Sequence, residues 1–240
     1  LVRAAEACYD GAKAYRTPFV SGKDSLNNQL RYTDEQGNQR VIEIPPTLLI
    51  TGLAIVGDVT KCVTMDAKQA GNVLLIVGRT TSEMGGSHYQ QIAGSDAALD
   101  GTIPRTDLHL GPKTAHAVAK LIHSGIVRSA HDVSDGGLLC AVAEMLIAGS
   151  TPTDPIGASL DLSQVHTDVA AAAFGESPSR YVLEVAAADA ARVIGGLAAD
   201  GIWCSRIGTL DATGTLRASS LELRMNVEEL AQAWLKPLDW

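Results

Sequence analysis

Ser129-Ala130-His131-Asp132-Val133-Ser134-Asp135-Gly136-Gly137-Leu138 is the stretch on which the reading of this 240-residue chain turns. Between His131 and Gly137 every residue except Val133 is polar or glycine. Apolar runs flank it, one ending near Val127 and the other extending from Leu138 to Ile147. In the second run Leu138, Val142, Met145 and Leu146 recur at three- and four-residue steps, the spacing of one helix face. The stretch therefore reads as a strand-to-helix turn. Asp135 or Ser134 is the expected helix cap, and Gly136 and Gly137 let backbone come close to another group. Amides free at a helix start attract anions. Two aspartates and a histidine beside them can hold a cation or steer a proton. The competing reading is a helix start that binds nothing.

Working outward, the length favours two domains or one large one. Hydrophobic residues make up 46% of the chain and aromatics only 4%, which suits an α/β enzyme better than a base-stacking surface. A net charge of −8 argues against nucleic acid or an anionic membrane as partner, while leaving room for a small phosphorylated ligand. No apolar run is long enough to span a bilayer, and no signal peptide is expected. Cys8, Cys62, Cys140 and Cys204 lie far apart with no metal-ligand spacing, as expected of scattered thiols in a cytoplasmic protein. The chain opens on Leu1 inside what reads as a mid-domain helix, so a piece of a longer protein is expected.

Upstream, residues 1–14 read as helix. Phe19-Val20 reads as a short strand running into Ser21-Gly22-Lys23-Asp24-Ser25-Leu26-Asn27-Asn28. Glycine there admits a phosphate, lysine neutralises charge, and an acid with a hydroxyl can hold Mg²⁺. The spacing is not that of a P-loop, and an ordinary polar turn is the alternative. Residues 29–33 and 40–44 alternate as a hairpin around 34–38. Residues 47–56 form a continuous apolar run, the mark of a strand covered on both faces, and 62–65 reads as another short strand. A boundary is placed at 66/67. Residues 72–77 start a new unit with a buried strand, followed by Met84-Gly85-Gly86-Ser87-His88 and a short helix to Ala93. The two glycines and serine make a second candidate phosphate cradle, and His88 at the helix start has solvation as its plain reading.

Downstream of a polar loop at 96–106, residues 110–123 read as an amphipathic helix with Ala115, Val118, Ala119 and Ile122 on one face. His109, His116 and His123 share a face but stand too far apart for one metal. Past the central stretch come a strand (158–162), a small helix (167–173), Phe174-Gly175-Glu176-Ser177-Pro178-Ser179-Arg180, a strand (181–185), a helix (187–199), three strands (202–210, 215–218, 221–225) and a terminal helix (227–235). Glu176 and Arg180 flank a rigid proline turn, either as ligand contacts or as an internal salt bridge. Trp203, Trp234 and Trp240 read as structural.

Four of these segments, 18–28, 84–87, 131–137 and 174–180, resemble in order and spacing the C-terminal half of phosphoribosylformylglycinamidine synthase, the synthetase subunit of purine biosynthesis in the aminoimidazole ribonucleotide synthase superfamily. The resemblance implies an α/β (α+β) fold: the end of an N-type, nucleotide-binding domain with mixed sheet and helices (1–66), then a complete C-type α/β domain (67–240). It implies an ATP-dependent ligase. ATP phosphorylates the formamide oxygen of formylglycinamide ribonucleotide, and glutamine-derived ammonia displaces phosphate to give the amidine. The implied cofactors are ATP, or a structural ADP, and Mg²⁺. The implied partners are the N-terminal half of the same chain, a glutaminase subunit and a small adaptor subunit.

By the same resemblance Gly22, Lys23, Asp24 and Ser25 form a nucleotide site, with Ser25 also reaching substrate. Lys23 occupies a position that often holds a magnesium-binding Asn. A protonated lysine cannot ligate Mg²⁺, which moves the metal role to Asp24. Gly85, Gly86 and Ser87 are assigned to the substrate phosphate. Asp132, Ser134 and Asp135, with His131, Gly136 and Gly137 around them, are assigned to the ribose or glycinamide part, and Glu176 and Arg180 complete the set. The family's general base lies in the N-terminal half, so these 240 residues alone are expected to be inactive. Two readings compete: another superfamily member, such as aminoimidazole ribonucleotide synthase, thiamine-phosphate kinase or selenophosphate synthetase, and a non-catalytic scaffold holding a structural nucleotide.

Overall fold

A computed structural model describes residues 1–25, 28–94 and 101–238. Leu26 and Asn27 of the first glycine segment, residues 95–100 of the polar loop, and Trp240 lie outside the described residues. The chain divides into two compact units, Leu1–Gly57 and Asp58–Trp240. The division falls ahead of the expected 66/67 boundary because residues 59–67 are tied to the second unit. Lys61 Nζ lies 3.1 Å from His123 Nε2, Thr64 O accepts from the Ala130 amide, and the Ala67 amide donates to Met145 O.

In the first unit helix α1 (Val2–Tyr15) ends where Arg16 turns left-handed and its amide caps Ala12 and Lys13. Strand β1 (Phe19–Ser25) pairs antiparallel with β4 (Thr47–Gly52), and β2 (Gln29–Thr33) with β3 (Gln39–Glu43). The β2–β3 hairpin is as expected. The Asp34 carboxylate accepts from the Gln36 and Asn38 amides and from Arg40, and these bonds hold its pKa below the ordinary value. Two expectations are corrected. Strand β1 runs through Gly22, Lys23, Asp24 and Ser25, each opposite a residue of β4, so the segment is ladder and not loop. Strand β4 is shorter than the apolar run and exposed on both faces, because no described residue of this unit is buried.

The second unit is built on a mixed sheet. Its strands are β5 (Val73–Val77), β6 (Val127–Asp132), β7 (Gly157–Leu160), β8 (Tyr181–Val185), β9 (Cys204–Asp211), β10 (Thr215–Ala218) and β11 (Leu223–Asn226), in spatial order β11-β10-β7-β9-β5-β8-β6. Strands β10 and β7 run parallel and the other described neighbours antiparallel. Residues 62–65, expected as a strand, follow a 3-10 turn (Val59–Lys61) as irregular chain.

Period-two alternation splits β5 between two cores. Leu74 and Ile76 enter a cluster with Leu138, Val142 and Met145 of α4 (Gly137–Gly149), Ala172 of α5 (Val169–Phe174) and Val227 of α7 (Val227–Leu235). Val73, Leu75 and Val77 pack on the opposite side with Val118 of α3 (Leu110–His123) and Val193 and Leu197 of α6 (Ala190–Ala199). All five β5 residues are fully buried, which explains why this strand reads as an unbroken apolar run. On α3 the buried face is Gly111, Thr114 and Val118, with Ala119 exposed, about one step round from the face expected. His109, His116 and His123 are exposed. Trp203 packs against the first core, whereas Trp234 is 58% exposed and contributes no core.

One buried charge organises the strand ends. Glu184 of β8 is completely buried. Its Oε1 accepts from the Gln69 amide (3.1 Å) and Asn72 Nδ2 (2.6 Å), and its Oε2 from the Lys68 amide (2.8 Å) and Ser129 Oγ (2.8 Å). A carboxylate is tolerated here because four donors replace its water.

Candidate functional site

Three segments far apart in sequence meet at the carboxyl end of β6. Strand β6 runs to Asp132, two residues beyond the 126–130 strand that the sequence pattern suggests, so His131 and Asp132 sit on the strand and not in the turn. The Val133 amide donates to Arg180 O at 2.9 Å, pinning the turn to the entry of β8. Gly136 and Gly137 both adopt positive φ, 77° and 76°, a conformation that costs a side chain about 1–2 kcal/mol. Helix α4 then starts with Gly136 as its cap and no side-chain bond. This corrects the expectation of a Ser134 or Asp135 cap.

The anion at this helix start comes from the protein itself. Glu176 Oε1 accepts from the Gly136 amide at 2.8 Å and from the His88 amide, the first of α2 (His88–Ala93), at 2.9 Å. His88 Nδ1 lies 3.3 Å from the same oxygen. One carboxylate thus joins the start of α2, the start of α4 and the 174–180 loop. Stacking of Tyr89 on Phe174, centroids 4.7 Å apart and 7° from parallel, supports the junction. His88, read as solvated from sequence, is part of it.

Several predicted ligand groups prove to be internal supports. Ser87 is buried; its hydroxyl donates to Met84 O and accepts from the Gln90 amide, as a helix cap. The Gly85 amide donates to Thr102 O and the Gly86 amide to Gln90 Oε1. The expected phosphate cradle at Gly85, Gly86 and Ser87 therefore has its donors committed to the loop. Arg180, 1% exposed, is a clamp. It donates to Ser177 O (2.8 Å), to Thr80 Oγ1 (2.9 Å) and to Gly175 O. Burial brings its pKa down to about 10, opposed by the Glu176 carboxylate, so it stays charged at neutral pH. The internal role of Arg180 was foreseen, but through loop carbonyls and not through a salt bridge to Glu176.

Replacing this clamp tests that role. A lysine has one nitrogen in place of a planar fork, so its three N–H donors cannot reach acceptors spread around Nε, Nη1 and Nη2. Arg180→Lys is expected to lower unfolding free energy by about 2 kcal/mol in urea denaturation. An unchanged midpoint would contradict the clamp.

What remains open to solvent is acidic. Asp132 and Ser134 are exposed, and Asp135 has no side-chain partner among the described residues. His131 stands between two carboxylates, Nε2 2.8 Å from Glu144 Oε2 and Nδ1 3.2 Å from Asp132 Oδ1. Cys140, one turn into α4, has its thiol pKa raised by burial and by the nearby Glu144 and Glu176. Such a rim suits hydroxyl groups and cations better than a bare phosphate. A pocket of about 190 Å³ shares the 174–180 loop: Arg79, Arg105, Thr81, Ser177 and Ser179 line it together with Asp107. Sequence reasoning missed both arginines, since an arginine after a strand and one in a loop carry no pattern of their own.

In the Gly22–Ser25 segment Lys23 and Asp24 do not make a joint metal site, which leaves Asp24 alone for that role. Neighbouring strand side chains point to opposite faces, so Lys23 and Asp24 cannot converge on one ion. Lys23 Nζ instead donates to Asp24 O and lies 3.5 Å from Ser25 Oγ. Gly22 faces Ile50 across the ladder.

Residues 69–219 match the family model described as "AIR synthase related protein, C-terminal domain". The chain belongs to that family. Among AIR synthase related proteins it is similar to phosphoribosylformylglycinamidine synthase subunit PurL of Rhodopseudomonas palustris strain TIE-1, 39% identical over 204 residues covering 85% of this chain and 25% of that protein. With the PurL of strain BisB18 it shares 36% over 237 residues, covering 96% and 29%. The chain thus spans about a quarter of the length of these relatives. The fold is that of Thermotoga maritima PurL complexed with FGAR, TM-score 0.66 at 18% identity, over 92% of this chain and 36% of that one. It also matches the PurL complexed with ATP from the same organism, TM-score 0.65 at 17% identity, over 94% and 34%. Among the described residues no helix is long and apolar enough to cross a membrane.

Proposed function

We propose that this chain supplies part of an ATP-dependent phosphoribosylformylglycinamidine synthase, and that its second unit carries one wall of a formylglycinamide ribonucleotide site. The observation that carries this reading is the convergence of residues 87–88, 131–137 and 174–180 on the Glu176 carboxylate, in a chain 39% identical to a PurL. Asp132, Ser134 and Asp135 accept from ribose hydroxyls or the glycinamide nitrogen. The 5′-phosphate faces the Arg79 and Arg105 guanidiniums. Glu176 holds the turn in place, and Arg180 holds Glu176 in place. ATP, when bound, supplies the phosphoryl group that activates the formamide oxygen. Residues outside this chain supply the general base, while a glutaminase subunit with a small adaptor subunit supplies ammonia.

Isothermal titration with formylglycinamide ribonucleotide tests this directly. Binding is expected, weakened at least about tenfold by Asp132→Ala or Arg105→Ala, as for loss of one hydrogen bond to a charged group. Heats that vanish for wild type, or that ignore both variants, would overturn the reading. A second reading, a scaffold with a structural nucleotide, draws support from the exposed β1–β4 pair. It predicts Mg-ADP binding that Asp24→Ala abolishes.

A further inference from the structure

We infer that Glu144 is a positioning residue, acting through His131 to hold the Asp132 carboxylate in the orientation that receives the ribonucleotide. Glu144 Oε2 lies 2.8 Å from His131 Nε2, and His131 Nδ1 lies 3.2 Å from Asp132 Oδ1. Adjacent strand side chains ordinarily point to opposite faces, so adjacency in sequence does not by itself bring residues 131 and 132 into contact. The Asp132 side chain is 66% exposed and that of His131 only 14%, so the carboxylate at the surface leans on a ring that is mostly enclosed. Glu144 stands on α4, whose Val142, Met145 and Leu146 are fully buried in the first core. Packing therefore fixes the backbone from which Glu144 reaches the ring.

Order before binding is what this arrangement supplies. An exposed aspartate left to itself samples several rotamers, and a ligand that needs one of them must fix it at a cost in affinity. An imidazole bonded at one nitrogen can still turn about that bond, whereas a carboxylate behind its other nitrogen sets the ring's orientation. Glu144 is that carboxylate, and it leaves Nδ1 aimed at Asp132 Oδ1. Asp132 Oδ2 has no side-chain partner among the described residues, so it is the oxygen free for a ribose hydroxyl or the glycinamide nitrogen. Among the described residues the bond to His131 is the one side-chain hydrogen bond that Glu144 makes. The ligand in this inference rests on the proposed function, while the relay rests on the two contacts.

The test joins isothermal titration of the chain with formylglycinamide ribonucleotide to proton–nitrogen spectra of the histidine rings in the ligand-free chain. Glu144→Ala is expected to weaken binding about fivefold, with an unchanged unfolding curve. Glu144→Gln keeps a hydrogen-bonding end at the same reach and should restore most of that loss. In an Asp132→Ala background Glu144→Ala should cost nothing further, because the group it positions is gone. Without ligand, Glu144→Ala should move the His131 ring-nitrogen resonances and leave those of exposed His116 in place. Glu229→Ala, which removes an exposed acid of α7, should alter neither readout. Equal losses of affinity in the two backgrounds, equal losses for alanine and glutamine, or His131 resonances indifferent to Glu144→Ala would overturn the inference. A wild-type chain that gives no heat overturns the proposed function instead, and the ring spectra then decide the relay by themselves.

Discussion

Glu184→Leu is expected to unfold the second unit at markedly lower urea, with a loss of about 4 kcal/mol. Leucine matches the apolar strand around it, and an argument from hydrophobicity alone would call the change neutral. The hydrogen bonds say otherwise. The amides of Lys68 and Gln69, the Asn72 side chain and Ser129 Oγ all donate to this carboxylate. Each buried donor left unpaired costs about 1–3 kcal/mol, which outweighs a gain of about 2 kcal/mol from burying leucine. Glu184→Gln keeps one acceptor oxygen but turns an amide NH₂ toward former donors, so an intermediate loss is expected. Equilibrium urea curves for the three proteins check this, and a loss under about 1 kcal/mol for Glu184→Leu would contradict the organising role.

Gly137→Ala should have the second largest effect, on stability and on binding together. A Cβ at Gly137 would lie 2.5 Å from Phe174 C, 2.7 Å from its Cα and 2.8 Å from Gly175 O, all backbone. Its φ of 76° adds left-handed strain. The strain costs about 1–2 kcal/mol and the overpacking about 1–3 kcal/mol, together about 3 kcal/mol. The only relief is for the 174–176 chain to move off, which takes Glu176 away from the Gly136 and His88 amides. Gly136→Ala is the instructive comparison. Its Cβ would meet the Cys140 side chain at 2.5 Å, a thiol that can rotate, so about half the loss is expected. Thermal or urea unfolding of both variants measures the difference, and equal losses would contradict the backbone clash.

These two residues also show what the sequence made legible. Gly136 and Gly137 were visible as a close-approach turn because two glycines between a strand and a helix have few other uses. What they approach was not visible, since Phe174 and Gly175 lie far along the chain. Strand β8 could be read from its apolar pattern, but the glutamate inside Tyr-Val-Leu-Glu-Val passed unmarked. The available signal was a polar residue in or beside each of three apolar strands, Asn72, Ser129 and Glu184, which pair with one another once folded. Ser87 and Arg180 were picked out as chemistry-bearing types, yet their hydrogen bonds run to their own loops. Whether a polar group serves a ligand or the fold depends on which carbonyls stand within 3 Å, and spacing does not encode that. At Gly22–Ser25 glycine and hydroxyl suggested a cradle, while the pairing with β4, more than twenty residues later, made a strand.

The central claim is that the Glu176 junction presents a ribonucleotide-binding rim. Amide chemical-shift mapping of the isotope-labelled chain with formylglycinamide ribonucleotide tests it most directly. Saturable shifts are predicted at His88, Asp132, Ser134, Asp135, Gly136 and Glu176, with Arg79 and Arg105 moving in the same titration. Shifts confined to Phe19–Ser25, or a spectrum unchanged at millimolar ribonucleotide, would contradict it.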